Sequence, residues 1–243
     1  MWGSWAYDPA QHDVVLFGGD TGGDSGSPGL PVGTTWTWDG RWTEHHPVSS
    51  PSARTGAAMV YDPATRQMLL FGGSTGVEDG FQGGTWAWTG RTWRQLHPAA
   101  APAARHNADL VYDAATRTVI LYGGFGAGRL ADTWSWNGSA WTQLHPARSP
   151  GADTLAWQAA YDPASRQLVA YGGDFGGPFG QATLTWNGRT WTRLHPPASP
   201  GPRGYGTMTY DPALGRVLLF GGSTPGTRPL GIWEWNGSTW QRQ

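Results

Sequence analysis

Short apolar runs separated by glycine-rich and proline-containing turns recur along the whole chain. Some runs end at a Gly-Gly pair, as in Met68-Leu69-Leu70-Phe71, and others place two tryptophans around one small residue, as in Trp86-Ala87-Trp88. A period of two puts both indoles on the same face of a β-strand. No segment shows the 3.6-residue period of an amphipathic helix. The pattern therefore predicts an all-β protein with essentially no helix.

Four markers recur in a common register and divide the chain into five units of about 50 residues. Each unit has a Tyr-Asp pair, then a Gly-Gly pair, then Trp-x-Trp, and then a single Trp, except that the fourth unit has Leu184-Thr185-Trp186 in place of Trp-x-Trp. The Tyr-Asp pairs begin at Tyr7, Tyr61, Tyr112, Tyr161 and Tyr210. The units span approximately residues 1–50, 51–101, 102–149, 150–199 and 200–243. A repeat that fills the chain predicts a single domain over residues 1–243.

Each unit predicts four antiparallel strands, here named a to d in chain order. Strand a ends at Tyr-Asp, strand b ends at Gly-Gly, strand c carries Trp-x-Trp, and strand d begins at the last Trp. Dipeptides such as Asn137-Gly138 join strands c and d, and they are strong hairpin signals. Sheets with large side chains on both faces bury them by packing radially, as in a closed β-propeller. We expect five contiguous blades, with the ring closed by packing of blade 5 on blade 1.

The repeat resembles that of the kelch family, in which an apolar run enters Gly-Gly and spaced aromatic residues follow. The residues that carry the resemblance are Leu69-Leu70-Phe71-Gly72-Gly73 with Trp86, Trp88 and Trp93, and all five units have equivalents. The resemblance covers essentially the full chain. It implies a bacterial-type, five-bladed kelch-like β-propeller of four-stranded antiparallel blades. It implies no single function, because kelch propellers include adaptors, lectin-like binders and enzymes.

Composition excludes several kinds of chemistry. The chain has no Cys, and all 16 of its basic residues are Arg. Disulfides, thiolate metal sites, cysteine nucleophiles, lysine Schiff bases and a P-loop are therefore excluded. The formal net charge of −1 gives no electrostatic reason to expect nucleic acid, and no apolar run is long enough for a membrane helix. We expect a monomer with no cofactor, no bound metal, no nucleic-acid partner and no membrane partner.

The beginning of the chain leaves the compartment open. No basic segment followed by an apolar segment comes after Met1, so no signal peptide is expected in this chain. We expect a cytoplasmic protein if Met1 is the native start. We expect an extracellular protein if the chain is a module excised from a longer one.

Chain direction separates the connections into two sets. The a–b and c–d turns lie on one side, here called the turn face, and they are short and nearly uniform. The b–c and d–a loops lie on the other side, here called the loop face. The b–c loops vary from 9 to 16 residues between Gly-Gly and the first Trp position. Variable loops on a rigid scaffold commonly carry function, so we predict that ligands bind on the loop face at the mouth of the central channel.

The candidate ligand-binding residues lie at or near the ends of the inner strands on the loop face. They are Trp2, Arg54, Arg105, Asn107, Trp157, Gln158, Arg203 and Tyr205. Aromatic rings and guanidinium groups suit a sugar, an aromatic group or an anion. The favoured function is recognition of a small molecule, glycan or peptide. The alternative for the arginines, which recur before strand a in three units, is that they brace the d–a loops through backbone carbonyls and carboxylates.

Asp109 is the only carboxylate predicted on the channel side of the inner strands. A carboxylate in a narrow aromatic-lined space tends to have a raised pKa and can act as acid or base, with His106 as a second proton carrier. The alternative function is thus a cofactor-independent lyase, isomerase or cyclase with Asp109 and His106 as catalytic residues. For Asp109 alone the alternative is a scaffold role. A third possibility for the chain is a structural module of a longer surface protein.

Overall fold

The computed structural model describes residues 3–22, 29–76, 80–151, 157–172, 180–223 and 231–243, apart from the side chains of Trp157, Tyr205 and Ser223. Twenty strands form five antiparallel four-stranded sheets, each made of four consecutive strands. Arranged in a ring, these sheets are the blades of a five-bladed β-propeller. No helix occurs in the ranges just given. The predicted fold class is confirmed.

The strands follow the predicted order a, b, c, d in every blade. Blade 1 contains β1 (Ser4–Asp8), β2 (Asp13–Phe17), β3 (Thr35–Trp38) and β4 (Trp42–His45). Blade 2 contains β5 (Ala58–Asp62), β6 (Gln67–Phe71), β7 (Thr85–Trp88) and β8 (Trp93–Leu96). Blade 3 contains β9 (Asp109–Asp113), β10 (Thr118–Tyr122), β11 (Thr133–Trp136) and β12 (Trp141–Leu144).

The last two blades have slightly longer inner strands. Blade 4 contains β13 (Trp157–Asp162), β14 (Gln167–Gly172), β15 (Ala182–Trp186) and β16 (Trp191–Leu194). Blade 5 contains β17 (Gly204–Asp211), β18 (Arg216–Ser223), β19 (Ile232–Trp235) and β20 (Trp240–Arg242). No blade takes a strand from the other end of the chain, so the predicted contiguous blades are confirmed.

The aspartate of each Tyr-Asp pair forms the a–b turn. In blade 2 the Asp62 carboxylate accepts a hydrogen bond from the backbone N–H of Ala64 at 2.9 Å. The same bond occurs at 2.8–3.0 Å in the other blades, from Ala10, Ala115, Ala164 and Ala213. An Asp that bonds the backbone two residues on is a common turn device. These five carboxylates are therefore scaffold residues.

Successive blades pack face to face around apolar clusters. We call the side of a blade that meets the following blade its front face, and the opposite side its back face. At the first interface, Val15 and Phe17 on the front face of blade 1 pack with Met68, Leu70 and Trp88 on the back face of blade 2. The next three pairs of blades have equivalent clusters.

One tryptophan from strand d anchors each of these four interfaces. Trp93, Trp141, Trp191 and Trp240 are only 1–3% exposed. Each indole donates its N–H at 2.9–3.1 Å to a threonine hydroxyl in the preceding blade, on Thr35, Thr85, Thr133 and Thr183 respectively. Each ring also contacts the last aromatic side chain of the preceding strand b, with centroids 5.1–5.6 Å apart. Apolar burial and one satisfied polar group are thus combined in the same side chain.

Blade 5 does not pack on blade 1 in this way. Trp38 and Trp42 on the back face of blade 1 are 40% and 52% exposed, and Phe220 on the front face of blade 5 is 54% exposed. These positions are buried at the other four interfaces. Trp38 and Trp42 nevertheless have the same ring contact, at 5.3 Å, as the four buried pairs. Blade 1 is therefore folded like the others and lacks only a neighbour.

The sequence of blade 5 explains this open seam. Ile232 stands at the position where the other four blades have the threonine that accepts the indole bond. Burying Trp42 against Ile232 would leave the indole N–H without that acceptor, and an unpaired buried donor is costly. Glu234 also places a carboxylate where the other front faces have Thr37, Ala87, Ser135 and Thr185. The predicted closure by packing of blade 5 on blade 1 is not found among the described residues.

Two equivalent tryptophans provide a direct test of the seam. Trp93→Ala should lower the free energy of unfolding by about 3–5 kcal/mol, because it empties a buried site at the first interface. Trp42→Ala should cost less than about 1 kcal/mol, because that side chain is half exposed. Urea unfolding of both variants measures the difference. Equal losses would show that Trp42 is buried and that the seam is closed.

Candidate functional site

The three arginines predicted before strand a are buried in the scaffold of the loop face. Arg54, Arg105 and Arg203 are 3%, 0% and 4% exposed. Each Nη1 donates to the carbonyl of the first glycine in the Gly-Gly pair of its own blade, at 2.8–3.1 Å: Gly72, Gly123 and Gly221. These arginines therefore tie the d–a loop to the end of strand b. The contacts support the bracing role rather than direct contact with a ligand.

The three arginines differ in whether a carboxylate balances their buried charge. The Arg54 guanidinium bonds only neutral groups among the described residues, and burial lowers its pKa to about 10. Burial also lowers the pKa of Arg203, which donates to the Pro200 carbonyl and whose Nε has no partner in the described structure. Arg54 stays protonated at neutral pH, since its pKa lies well above 7.

Arg105 is the arginine with a carboxylate partner. Its Nη1 and Nη2 donate to Oδ1 and Oδ2 of Asp132 at 2.5 and 2.8 Å, in a bidentate pair. The indole of Trp134 donates to the same Oδ2 at 2.7 Å. Burial raises the pKa of Asp132, but the hydrogen bonds from Arg105 and Trp134 outweigh it and hold the pKa below its ordinary value. The pair fixes the blade 3 loops in one arrangement.

Close backbone contacts between blades require glycine in the Gly-Gly pairs. Gly72 has a φ of +76°, and a Cβ there would lie 2.3 Å from the carbonyl oxygen of Arg105 in the next blade. Gly73 then donates its backbone N–H to the same oxygen at 2.8 Å. Gly18 repeats the close approach to Arg54 at 2.5 Å. Blades are thus joined on the loop face by backbone contact that no other residue allows.

Three aromatic rings meet on the loop face at the junction of blades 2 and 3. Phe81 stacks on His106 with centroids 5.4 Å apart and planes 14° from parallel. Phe125 contacts Phe81 and His106 edge-on, at 5.9 and 5.8 Å. All three side chains are partly exposed. We call these residues the aromatic cluster.

The backbone holds the aromatic cluster in place. His106 and Phe125 exchange both of their backbone hydrogen bonds at 2.9 Å, and Ser74 forms a β-bridge with Phe81. Asn107 has a φ of +52° and donates its backbone N–H to the Gly56 carbonyl at 2.8 Å. Burial lowers the pKa of His106, so the stacked ring is neutral at neutral pH. The cluster is therefore a preformed, uncharged aromatic surface.

Asp109 borders a small cavity between two blades. With Val111 and Tyr122 it faces Ala159 and Trp191 of blade 4 across a cavity of about 10 Å³. A space of this size accommodates about one water molecule. Side chains stand perpendicular to a sheet, and because the blades are radial they point toward neighbouring blades. The predicted position facing the channel stays a prediction.

The environment of Asp109 is nevertheless unusual. Oδ2 is buried without a hydrogen-bond partner among the described residues, although the residue as a whole is partly exposed. Burial raises the pKa of Asp109 to about 7, while hydrogen bonds from the backbone amides of Ala159 and Leu110 act in the opposite direction. This pKa fits an acid or base, but the cavity beside it has no room for a substrate larger than water.

The remaining predicted residues do not form one group in the described structure. Trp2 lies outside the described residues, as do the side chains of Trp157 and Tyr205. Gln158 is partly buried on β13, paired across the sheet with Tyr171. Of the predicted residues, the structure places His106 in the aromatic cluster and Asn107 next to it in the chain.

Sequence reasoning missed Phe81, Phe125 and Asp132, although two of them carry a signal. Phe125 follows Gly-Gly at a position where the other units have Asp20, Ser74, Asp174 and Ser223. Asp132 precedes strand c, where the other units have Thr34, Gly84, Ala182 or Gly231. Both are departures from the repeat of the kind that indicates a specific role. Phe81 lies in a loop of variable length, where positions cannot be aligned from sequence.

The resemblance to the kelch family rests on the repeat alone. No protein-family model and no curated protein matches the chain. Within the described ranges, no helix has the length and apolar character needed to cross a membrane. The same ranges contain no group of three or more His, Cys, Asp or Glu side chains suited to a metal ion.

Two glycines at the same repeat position test the contact between arginine and glycine. Gly72→Ala should be strongly destabilising, because the new Cβ meets the Arg105 carbonyl. Gly221, with a φ of +67°, has no described atom within 4 Å of its Cβ position, since no blade packs on that side of blade 5 in the described structure. Gly221→Ala should cost only the backbone penalty of roughly 1–2 kcal/mol, and Gly72→Ala at least about 2 kcal/mol more. Thermal unfolding measures both, and equal costs would contradict the contact.

Asp109 predicts a distinctive dependence of stability on pH. An acid with a raised pKa in the folded state stabilises the fold fully below the unfolded value, near 3.8, and this contribution is lost as the pH rises through about 7. Between pH 4 and 8 the wild type should lose up to about 4 kcal/mol from this group. Asp109→Asn should lose none of it. Urea unfolding across this range checks the slope, with the exposed Asp39→Asn as control; parallel curves for wild type and Asp109→Asn would refute the assignment.

Proposed function

We propose that the protein is a kelch-type recognition module that binds a small molecule, glycan or peptide on its loop face. The observation that carries this proposal is the aromatic cluster of Phe81, His106 and Phe125. The three rings contact one another and are partly exposed on the loop face. Large, rigid, uncharged rings offer contact area at low cost in conformational entropy.

The way the cluster is held favours binding over a purely structural role. Its loops are fixed by backbone bridges and by the buried pair of Arg105 and Asp132 directly beneath the same d–a loop. A surface that is already ordered loses little entropy when a ligand binds. A neutral His106 and two phenyl rings suit the apolar face of a sugar ring, an aromatic group or an apolar peptide side chain. The contacts predicted for Trp2, Trp157 and Tyr205 remain predictions.

The enzymatic alternative has one favourable observation, which is the pKa of Asp109 near 7. A perturbed carboxyl group is a recognised indicator of an active site. Its carboxyl group, however, borders a cavity of about 10 Å³ between blades 3 and 4. A catalytic acid must come within hydrogen-bond reach of the substrate. The geometry therefore favours recognition over catalysis by Asp109.

A ligand screen with matched variants tests the proposal. The full chain is screened on a glycan array, on a peptide array and by saturation-transfer NMR against a metabolite panel. Phe81→Ala with Phe125→Ala should weaken binding roughly tenfold or more, because aromatic anchors dominate such sites. The control is Phe220→Ala, which removes an exposed aromatic ring from the seam. Ligands that bind the double variant as well as the wild type would place recognition elsewhere.

A further inference from the structure

A larger cavity lies between blades 2 and 3 on the turn face, at the opposite end of the interface from the aromatic cluster. Its volume is about 300 Å³, at the lower end of the range for small-molecule sites. Thr65 from the a–b turn of blade 2 and Gly138 from the c–d turn of blade 3 border it. Neither the repeat pattern nor the proposed function of the loop face accounts for this space.

Two paired departures from the repeat produce the cavity. Ala87 on β7 pairs directly with Arg94 on β8, and both border the space. The equivalent pairs in the other blades are Thr37–Thr43, Ser135–Thr142, Thr185–Thr192 and Glu234–Gln241. Ala87 lacks the polar side chain that projects from the other front faces. Arg94 brings a cation to a position where three blades have threonine.

One side of the cavity is apolar. Leu69 is beside Ala87 on β6 and is only 3% exposed, and Leu96 follows on β8. Trp136 on the back face of blade 3 is 2% exposed and belongs to the same core cluster as Leu69. Thr65, Gln67 and Arg94 supply the polar part of the lining. A ring or short hydrocarbon placed against the apolar side would be removed from water there.

Arg94 supplies the polar end of the site. It is the only charged residue among those that border the cavity. Its Nη2 donates to Oε1 of Gln67 at 3.5 Å, a long bond to a neutral partner. No carboxylate in the described part of the chain pairs with it, whereas Arg105 is fully buried and bound to Asp132. An exposed guanidinium keeps its planar fork of donors available for a carboxylate.

We propose that this cavity binds a small monocarboxylate with an aromatic or short apolar body. The apolar body lies against the side of the cavity formed by Leu69, Leu96 and Trp136, and the carboxylate accepts hydrogen bonds from Arg94. The site uses a different face and different residues from the aromatic cluster. It is therefore independent of the recognition proposed for the loop face.

Titration with benzoate tests the proposal, with benzyl alcohol as the uncharged analogue. Binding to the full chain is followed by chemical-shift changes in the protein spectrum. Benzoate should bind saturably and roughly tenfold or more tightly than benzyl alcohol, because Arg94 contributes a charge-assisted pair. Arg94→Thr should abolish that preference. Ala87→Thr should weaken both ligands by filling the cavity.

Matched controls separate the site from general charge effects. Arg94→Thr and Ala87→Thr introduce the residues that other blades carry at these positions, so both variants are expected to fold, and thermal unfolding confirms it. Arg193→Thr removes an exposed arginine from strand d of blade 4 and should leave benzoate binding unchanged. The proposal is overturned by an absence of saturable benzoate binding, by equal affinity for the two ligands, or by an equal effect of Arg193→Thr.

Discussion

The hydrogen bond from a strand d tryptophan to a threonine of the preceding blade is the contact on which the propeller depends. It places the largest side chain of each blade inside an apolar interface without leaving its N–H unpaired. The indole also contacts the final aromatic side chain of strand b in the preceding blade, so the same ring sets both the distance and the relative orientation of the two blades. Where the threonine is replaced by Ile232, the interface is not formed. Ile232 and the carboxylate of Glu234 thus distinguish the front face of blade 5 from the four packed front faces.

A second set of contacts, made by backbone atoms and buried arginines, holds the loop face. The carbonyl of Arg105 is approached closely by Gly72 and bonded by Gly73, while its guanidinium reaches Gly123 and Asp132. Arginine side chains able to bind an acidic ligand are thereby used for structure. The partly exposed rings of the aromatic cluster lie on the same face.

The fold was predictable from the sequence because each blade repeats the same local signals. Tyr-Asp, Gly-Gly, Trp-x-Trp and the c–d glycine each determine a turn or a face, and five copies reinforce one another. The site was less predictable. Arg54 was predicted either to bind a ligand or to brace a loop, and Asp109 either to act as an acid or base or to serve the scaffold. The choice depends on how closely neighbouring blades pack around each side chain. Phe81 contacts His106 only because loops of two blades meet, and no spacing along the chain reveals that. Positions that depart from the repeat, such as Phe125, Ala87 and Arg94, are the ones that mark the two proposed sites.

The open seam makes this cyclic arrangement behave energetically as a linear array. Four packed interfaces join five units in the described structure, so stability is closer to a sum of neighbour terms than to that of a closed ring. Blades 1 and 5 each pack on a single neighbour, whereas blade 3 has two blades on each of its sides. Opening fluctuations therefore begin at blades 1 and 5 and reach blade 3 last. Both sites described above lie where blade 2 meets blade 3, away from the units that open first.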